Sequence, residues 1–213
     1  MKPSIAVALT RPQKKRVAIV EAAVRLFLDS GFDGTSMDDV AAKAGVSKPT
    51  LYRYFADKDG LYAAAVQATV DDVDHLLRLV AEELASDVHP RKELRRLAIK
   101  MLSALMRPDL LRLRRLVIAQ AGKFPEVGQN WFSQGFGRVL DTLAAAFTRY
   151  DKSGYLRVRD PMLAANHFAG LLLWIPLNRA MFTGQVKYDI SELETYANAA
   201  VEAFLEGYGS RRR

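Results

Sequence analysis

Apolar residues recur along this 213-residue chain at spacings of three and four rather than in alternation, which is the period of helices with one buried face. Val17, Val20, Val24 and Phe27 predict a first helix over 12–30, closed by Gly31 as a left-handed terminator. Thr35 or Ser36 then caps a short second helix. Asp38 or Asp39 is the acid that reaches back to that cap, and Val40, Ala41 and Ala44 form the buried side. Gly45 permits a tight turn, Val46 packs into it, and Ser47 caps a third helix whose Leu51 and Phe55 face inward. Asp57 caps a long fourth helix over 58–84, marked by Leu61, Val66, Val70, Val73, Leu77, Val80 and Leu84 until His89 and Pro90 break it.

The same period predicts helices over 91–106, over 110–121, and from Pro125 through 150. A polar DKSGY segment follows. Asp160 with Pro161 then starts a helix through 182, and Ser191 with Glu194 forms a capping box for a last helix ending near 207. The fold class is therefore all-α. A helix-turn-helix head over 1–58 precedes a larger helical body over 59–213, and the fourth helix bridges them.

Half the residues are apolar, enough for a well-buried core, and 31 Lys and Arg against 24 Asp and Glu leave a net charge of +7. That balance favours an anionic partner, nucleic acid ahead of a membrane surface. There is no cysteine, so disulfides and thiolate metal sites are excluded, and the three histidines are too scattered for a zinc site. No metal and no cofactor is expected. The apolar stretch Ile5 to Leu9 precedes a basic cluster without a cleavage site, and the longest apolar run, Phe168 to Leu177, is interrupted by Pro176 and is too short to span a bilayer. A cytoplasmic location with no membrane partner is expected.

The segment GFDGTSMDDVAAKAGVSKPTLYRYFADK carries the chemistry. Its third helix has one apolar face and a second face bearing Lys48, Thr50, Tyr52, Arg53 and Tyr54, the residue types that reach guanine edges, thymine methyls and phosphates from the major groove. Three aromatics within four residues, Tyr52, Tyr54 and Phe55, cannot share one side of a helix, so at least one is exposed.

The segment GVSKPTLYRYFADKDGLY resembles the signature of the TetR family of bacterial repressors, in the order of a glycine turn, a Ser cap, Thr, Leu, Tyr, Tyr, Phe and Lys. The resemblance covers about the first quarter of the chain. It implies that Ser36 and Met37 approach the DNA backbone, that Ser47 opens a helix whose Lys48, Pro49 and Thr50 lie at base edges, and that Tyr52 and Tyr54 clamp phosphates. Arg53 falls at a variable position. Lys58 would meet a phosphate at the amino end of the fourth helix, where the helix dipole also favours an anion. Gly60 departs from the family pattern, in which a helix former is commoner. Arg11, Lys14, Lys15 and Arg16 would form a basic arm, either a solvated tail or an added contact to backbone or minor groove. The terminal Arg211, Arg212 and Arg213 read as a solvated tail.

Two heads reading half-sites about 34–36 Å apart, or a multiple of that, would bind far better than one, so a homodimer on double-stranded, palindromic operator DNA is expected. The last two helices offer the apolar faces for it: Ala164, Phe168, Leu171, Leu172 and Ile175 on one, Tyr196, Ala200 and Phe204 on the other. The family further implies a body cavity for a small-molecule effector. Met101, Leu105, Trp131, Phe132, Phe136, Phe168 and Trp174 are candidates to line it, against the alternative that aromatic and Met residues at helical spacing are ordinary core. His167 and Asn178 read as satisfied polar groups within that core. The expected function is a DNA-binding transcriptional regulator, a repressor released by a small apolar ligand that splays the fourth helices. The chief rival is an enzyme built on Asp71, Asp72, Asp74 and His75, where Asp71 and His75 sit one turn apart; a solvated helix face is the simpler account. A helical carrier with no DNA role is a third possibility.

Overall fold

A computed structural model describes residues 10–70, 73–84, 90–184 and 187–210. The order of elements is α1 (Arg11–Ser30), α2 (Met37–Ala44), α3 (Lys48–Tyr54), α4 (Lys58–Ala68), α5 (Val73–Glu83), α6 (Pro90–Leu105), α7 (Pro108–Gln120), α8 (Pro125–Phe132), a π turn (Ser133–Gly137), α9 (Arg138–Lys152), α10 (Pro161–Thr183) and α11 (Ile190–Tyr208). Among the described residues the only strand-like pairing is an isolated bridge between Leu156 and Gly209.

The capping chemistry of the head is local and specific. Ser36 caps α2: its Oγ accepts from the Asp39 amide at 3.1 Å, and its own amide donates to the Asp39 carboxylate at 3.2 Å. Thr35 is instead buried, its hydroxyl donating to the Gly31 carbonyl at 2.8 Å. Gly45 ends α2 with φ +65, a left-handed conformation that side chains with a Cβ resist. At α4 the Asp57 carboxylate accepts from the Gly60 amide at 2.7 Å, so this glycine sits inside a formed cap.

Three expectations about elements need correction. The single helix over 58–84 is two, α4 ending at Ala68 and α5 starting at Val73. The α4 end is marked by Thr69, whose amide and hydroxyl both turn back to the Val66 carbonyl, at 3.1 and 2.5 Å. The helix over 125–150 is interrupted by the π turn, where the SQGFG run lowers the cost of leaving the α ladder. The last helix begins one residue after Asp189, so Ser191 lies inside it.

Two apolar cores result. The head core joins α1, α2, α3 and α4 through Ile19, Phe27, Val40, Leu51, Leu61 and Tyr62, and it recruits Leu113 and Val117 from α7. It therefore extends past residue 58. Phe32 lies 5.9 Å from Phe27 and 5.3 Å from Tyr62, ring to ring, and Phe124 closes the group 5.0 Å from Tyr62. Burial pushes the Tyr62 phenol up to about 12. The body core packs α6, α9, α10 and α11 around Phe147, Phe168 and Phe204, whose rings are 5.0 to 5.8 Å apart. Among the described residues no helix is long and apolar enough to cross a membrane.

Candidate nucleic-acid interface and effector cavity

α3 is short, and its two faces differ sharply. Leu51 is fully buried, and Phe55, just past the helix end, is buried beside it. Ser47, Lys48, Pro49, Tyr52 and Arg53 are exposed, and Tyr52 shows 50% of its surface. Thr50 is half-buried with its hydroxyl 2.9 Å from that of Ser47, so both sit at the amino end of the helix. Tyr54 is half-buried against the head core and carries the Arg53 guanidinium 5.5 Å from its ring centroid. Ser36 is exposed at the start of α2, whereas Met37 is half-buried in the core.

Two cations of this face are engaged within the chain. Lys48 Nζ lies 2.6 Å from the Asp38 carboxylate on α2, and that hydrogen bond and charge raise the lysine's pKa. Sequence reasoning treated Asp38 only as a possible cap, yet it is the anion that pairs with Lys48. Lys58 Nζ donates to the carbonyls of Phe32 at 2.8 Å and Thr35 at 3.0 Å, and stands 4.3 Å from the Phe32 ring centroid. In this state it ties α4 to the α1–α2 connection.

Arg11, Lys14, Lys15 and Arg16 are exposed along the first turns of α1 and are helical rather than an extended arm. Arg16 sits over the Phe55 ring at 5.3 Å, which brings this basic stretch beside the end of α3.

A cavity of about 220 Å³ opens where head and body meet. Its wall comes from Val24 and Leu28 of α1, Thr69 at the end of α4, Leu105 of α6, Leu110 and Arg114 of α7, Trp131 of α8, and Gly135 and Phe136 of the π turn. Of the candidate lining residues, Leu105, Trp131 and Phe136 are in this wall. Met101 and Phe168 are fully buried in the body core. Phe132 is exposed, and Trp174 shows 72% of its surface on α10. Sequence reasoning missed Val24, Leu28 and Arg114. A signal for Arg114 existed, since it continues the Leu110 and Val117 stripe of α7 at helical spacing.

The apolar face of α10 is divided. Ala164, Phe168 and Leu172, with Ala200 and Phe204 of α11, are spent inside the chain's own core. Leu171, Trp174, Ile175 and Phe182 stay exposed, Phe182 at 86%. His167 is also exposed, its Nδ1 2.6 Å from the Tyr208 hydroxyl, and Asn178 bonds the Trp174 carbonyl at 2.7 Å. Asp71 and Asp72 lie outside the described residues, as do the side chains of Asp74 and His75 and the terminal arginines.

Comparison with known proteins agrees with this architecture. A family model for the C-terminal domain of AefR-like transcriptional repressors matches residues 92–210, and one for bacterial regulatory proteins of the tetR family matches residues 19–65. A solved structure described as a TetR-family transcriptional regulator from Mesorhizobium loti MAFF303099 is 42% identical, with 94% of this chain and 100% of that chain covered and a TM-score of 0.87. The flavonoid-responsive regulator FrrA is 28% identical over 93% of this chain and 98% of its own, with a TM-score of 0.73. The HTH-type transcriptional activator FasR of Mycolicibacterium smegmatis is 38% identical over 82 residues, 38% of this chain and 36% of FasR. The chain thus matches little more than a third of that curated relative's length.

Proposed function

Because this chain belongs to the TetR family of bacterial transcriptional regulators, we propose that it is a homodimeric repressor that leaves a palindromic operator when a small, largely apolar molecule enters the cavity between head and body. The observation that carries this reading is the composition of the cavity wall. Val24 and Leu28 belong to the helix that packs against α2 and α4, while Leu105, Leu110, Trp131 and Phe136 belong to the body. An occupant touches both halves at once, so its affinity must differ between arrangements of the two. The repressor sense is supported by the AefR-like repressor model that matches the body, and response to a small molecule by the name of the relative FrrA.

The proposed reading face is Lys48, Pro49 and Thr50 at base edges, with Ser36, Ser47, Tyr52, Arg53 and Tyr54 towards phosphates. Met37 supports it from the core, and Lys58 supports it through the loop it holds. The dimer is supported by the exposed stripe Leu171, Trp174, Ile175 and Phe182, large apolar side chains at helical spacing that a second copy of the chain would cover. The test is selection of bound fragments from random DNA, followed by anisotropy titrations across salt and with candidate ligands. Two-fold symmetric selected sites with a steep salt dependence are expected. Occupancy unchanged by a broad ligand panel would remove the switch, and a monomer by sedimentation with no symmetric site would remove the dimer.

A further inference from the structure

Among the described residues, the cavity carries one charge that nothing around it balances. α7 holds three arginines close together, and their fates differ. Arg112 is exposed, and Arg115 donates to the Ala180 carbonyl at 3.0 Å. Arg114 lines the cavity, its guanidinium carbon 5.5 Å from the Trp131 ring centroid. Its Nε is buried and has no acceptor among the described residues. The acid in the same wall, Asp109, is held by Arg107 through two hydrogen bonds, at 2.5 and 3.2 Å, and no carboxylate among the described residues forms an ion pair with Arg114. Burial pulls the guanidinium's pKa below its ordinary value.

Arg114 is half-buried with its Nε out of water, and a cation partly removed from water without a counter-charge costs folding energy that an aromatic face offsets only in part. An apolar side chain at this position would close the wall without the cost. The arrangement gains only when an anion arrives, and a guanidinium offers a carboxylate two parallel donors. We infer that the cavity binds an amphipathic anion, an apolar body bearing one carboxylate or equivalent group, with Arg114 as its anchor and Trp131 and Phe136 against the body. This rests on the reading of the cavity as the effector site and adds the chemical class that the site takes.

The test is calorimetric titration of the full chain at pH 7 with two matched pairs: decanoate against decanol, and naphthalene-2-carboxylate against naphthalene-2-methanol. The wild type should bind each acid about ten-fold or more tightly than its alcohol, as one charge-assisted contact allows. Arg114→Met and Arg114→Gln should lose that ratio while still binding the alcohols, and Arg114→Lys should keep part of it. Melting of the unliganded Arg114→Met variant at or above the wild-type temperature is expected, because the uncompensated cation is gone. If that variant does not fold, Arg114→Gln carries the comparison. Equal affinity for acid and alcohol in the wild type, or a preference that survives in the variants, overturns the inference and leaves the cavity reading standing. Binding of none of the four probes overturns both.

Discussion

Replacing Lys58 with Met tests whether this lysine acts on DNA or on the head itself. The substitution keeps most of the apolar stem and removes the charge and all three donors. Two of those donors reach the Phe32 and Thr35 carbonyls, at 2.8 and 3.0 Å, and the ammonium lies 4.3 Å from the Phe32 ring. A hydrogen bond from a charged donor contributes about 1.5–3 kcal/mol. The Phe32 carbonyl keeps a weak bond from the Thr35 amide at 3.4 Å, and the lysine is only half-buried, so a total loss of about 2–4 kcal/mol is reasonable. For a chain of this size each kcal/mol is worth about 2–4 °C, so calorimetry should show melting lowered by about 5–15 °C. Anisotropy titrations against the selected operator separate the two roles. Loss of a phosphate contact lowers the slope of log affinity against log salt by about one, whereas a loosened head lowers affinity at every salt with the slope intact. Unchanged melting together with a slope reduced by about one would refute the structural assignment and restore the phosphate contact that the family resemblance implies.

Other perturbations should act separately. Lys48→Ala should relax base preference in a repeated selection, while Tyr52→Phe should weaken all sequences alike; equal relaxation by both would remove the division of roles. Asp38→Asn releases Lys48 from its partner at 2.6 Å and removes an anion beside the DNA, so operator affinity should rise and its salt slope should steepen. Gly45→Ala forces a Cβ into the left-handed region at φ +65 and should cost about 1–2 kcal/mol in denaturant unfolding. The Glu83 carboxyl is held below its ordinary 4.5 by hydrogen bonds from Lys100 and Arg96, against the opposing effect of its own burial. That contribution to stability is complete above about pH 4.5 and is lost as pH falls through the lower folded value, so Glu83→Gln should flatten this part of the acid melting profile.

Element types were readable because the head is locally over-determined. Ser36 with Asp39, Gly45 and Asp57 each fix a boundary through a side chain within three residues, or through a backbone conformation open to glycine. The errors fell where the apolar stripe is silent, at a local turn within it and where tertiary contact decides. A continuous apolar stripe from Leu61 to Leu84 reads as one helix, yet Thr69 turns its amide and hydroxyl back to Val66 and ends α4. The stripe on α10 likewise gave no indication that Phe168 belongs to the chain's own core while Trp174, six residues on, lies outside it. Ion pairs between elements, such as Lys48 with Asp38 across the turn, leave no periodic trace in a sequence. Residues that line a cavity are apolar in the same way as residues that fill a core, and only the fold separates Leu105 from Met101.

The break after α4 also changes how a ligand would reach the DNA. A lever needs a continuous helix from head to body, and α4 stops at Ala68, with Thr69 in the cavity wall. α1 supplies a more direct route. Val24 and Leu28 face the cavity, while Ile19, Ala23 and Phe27 on the neighbouring face are fixed in the head core. The rings of Phe27, Phe32 and Tyr62 meet across α1, the connection and α4, Lys58 pins that connection, and Leu51 of α3 is buried in the same core, so α3 is packed to α1 through the head core. The opposite wall belongs to α6, α7 and the π turn, and Arg115 anchors α7 to the Ala180 carbonyl on α10. α10 carries the exposed apolar stripe proposed to pair two chains. In the proposed switch, a molecule wedged between α1 and the body side of this wall would act between the proposed reading helix and the proposed dimer face, and a small rotation there would be multiplied across two heads that must match half-sites about 34–36 Å, or a multiple of that, apart.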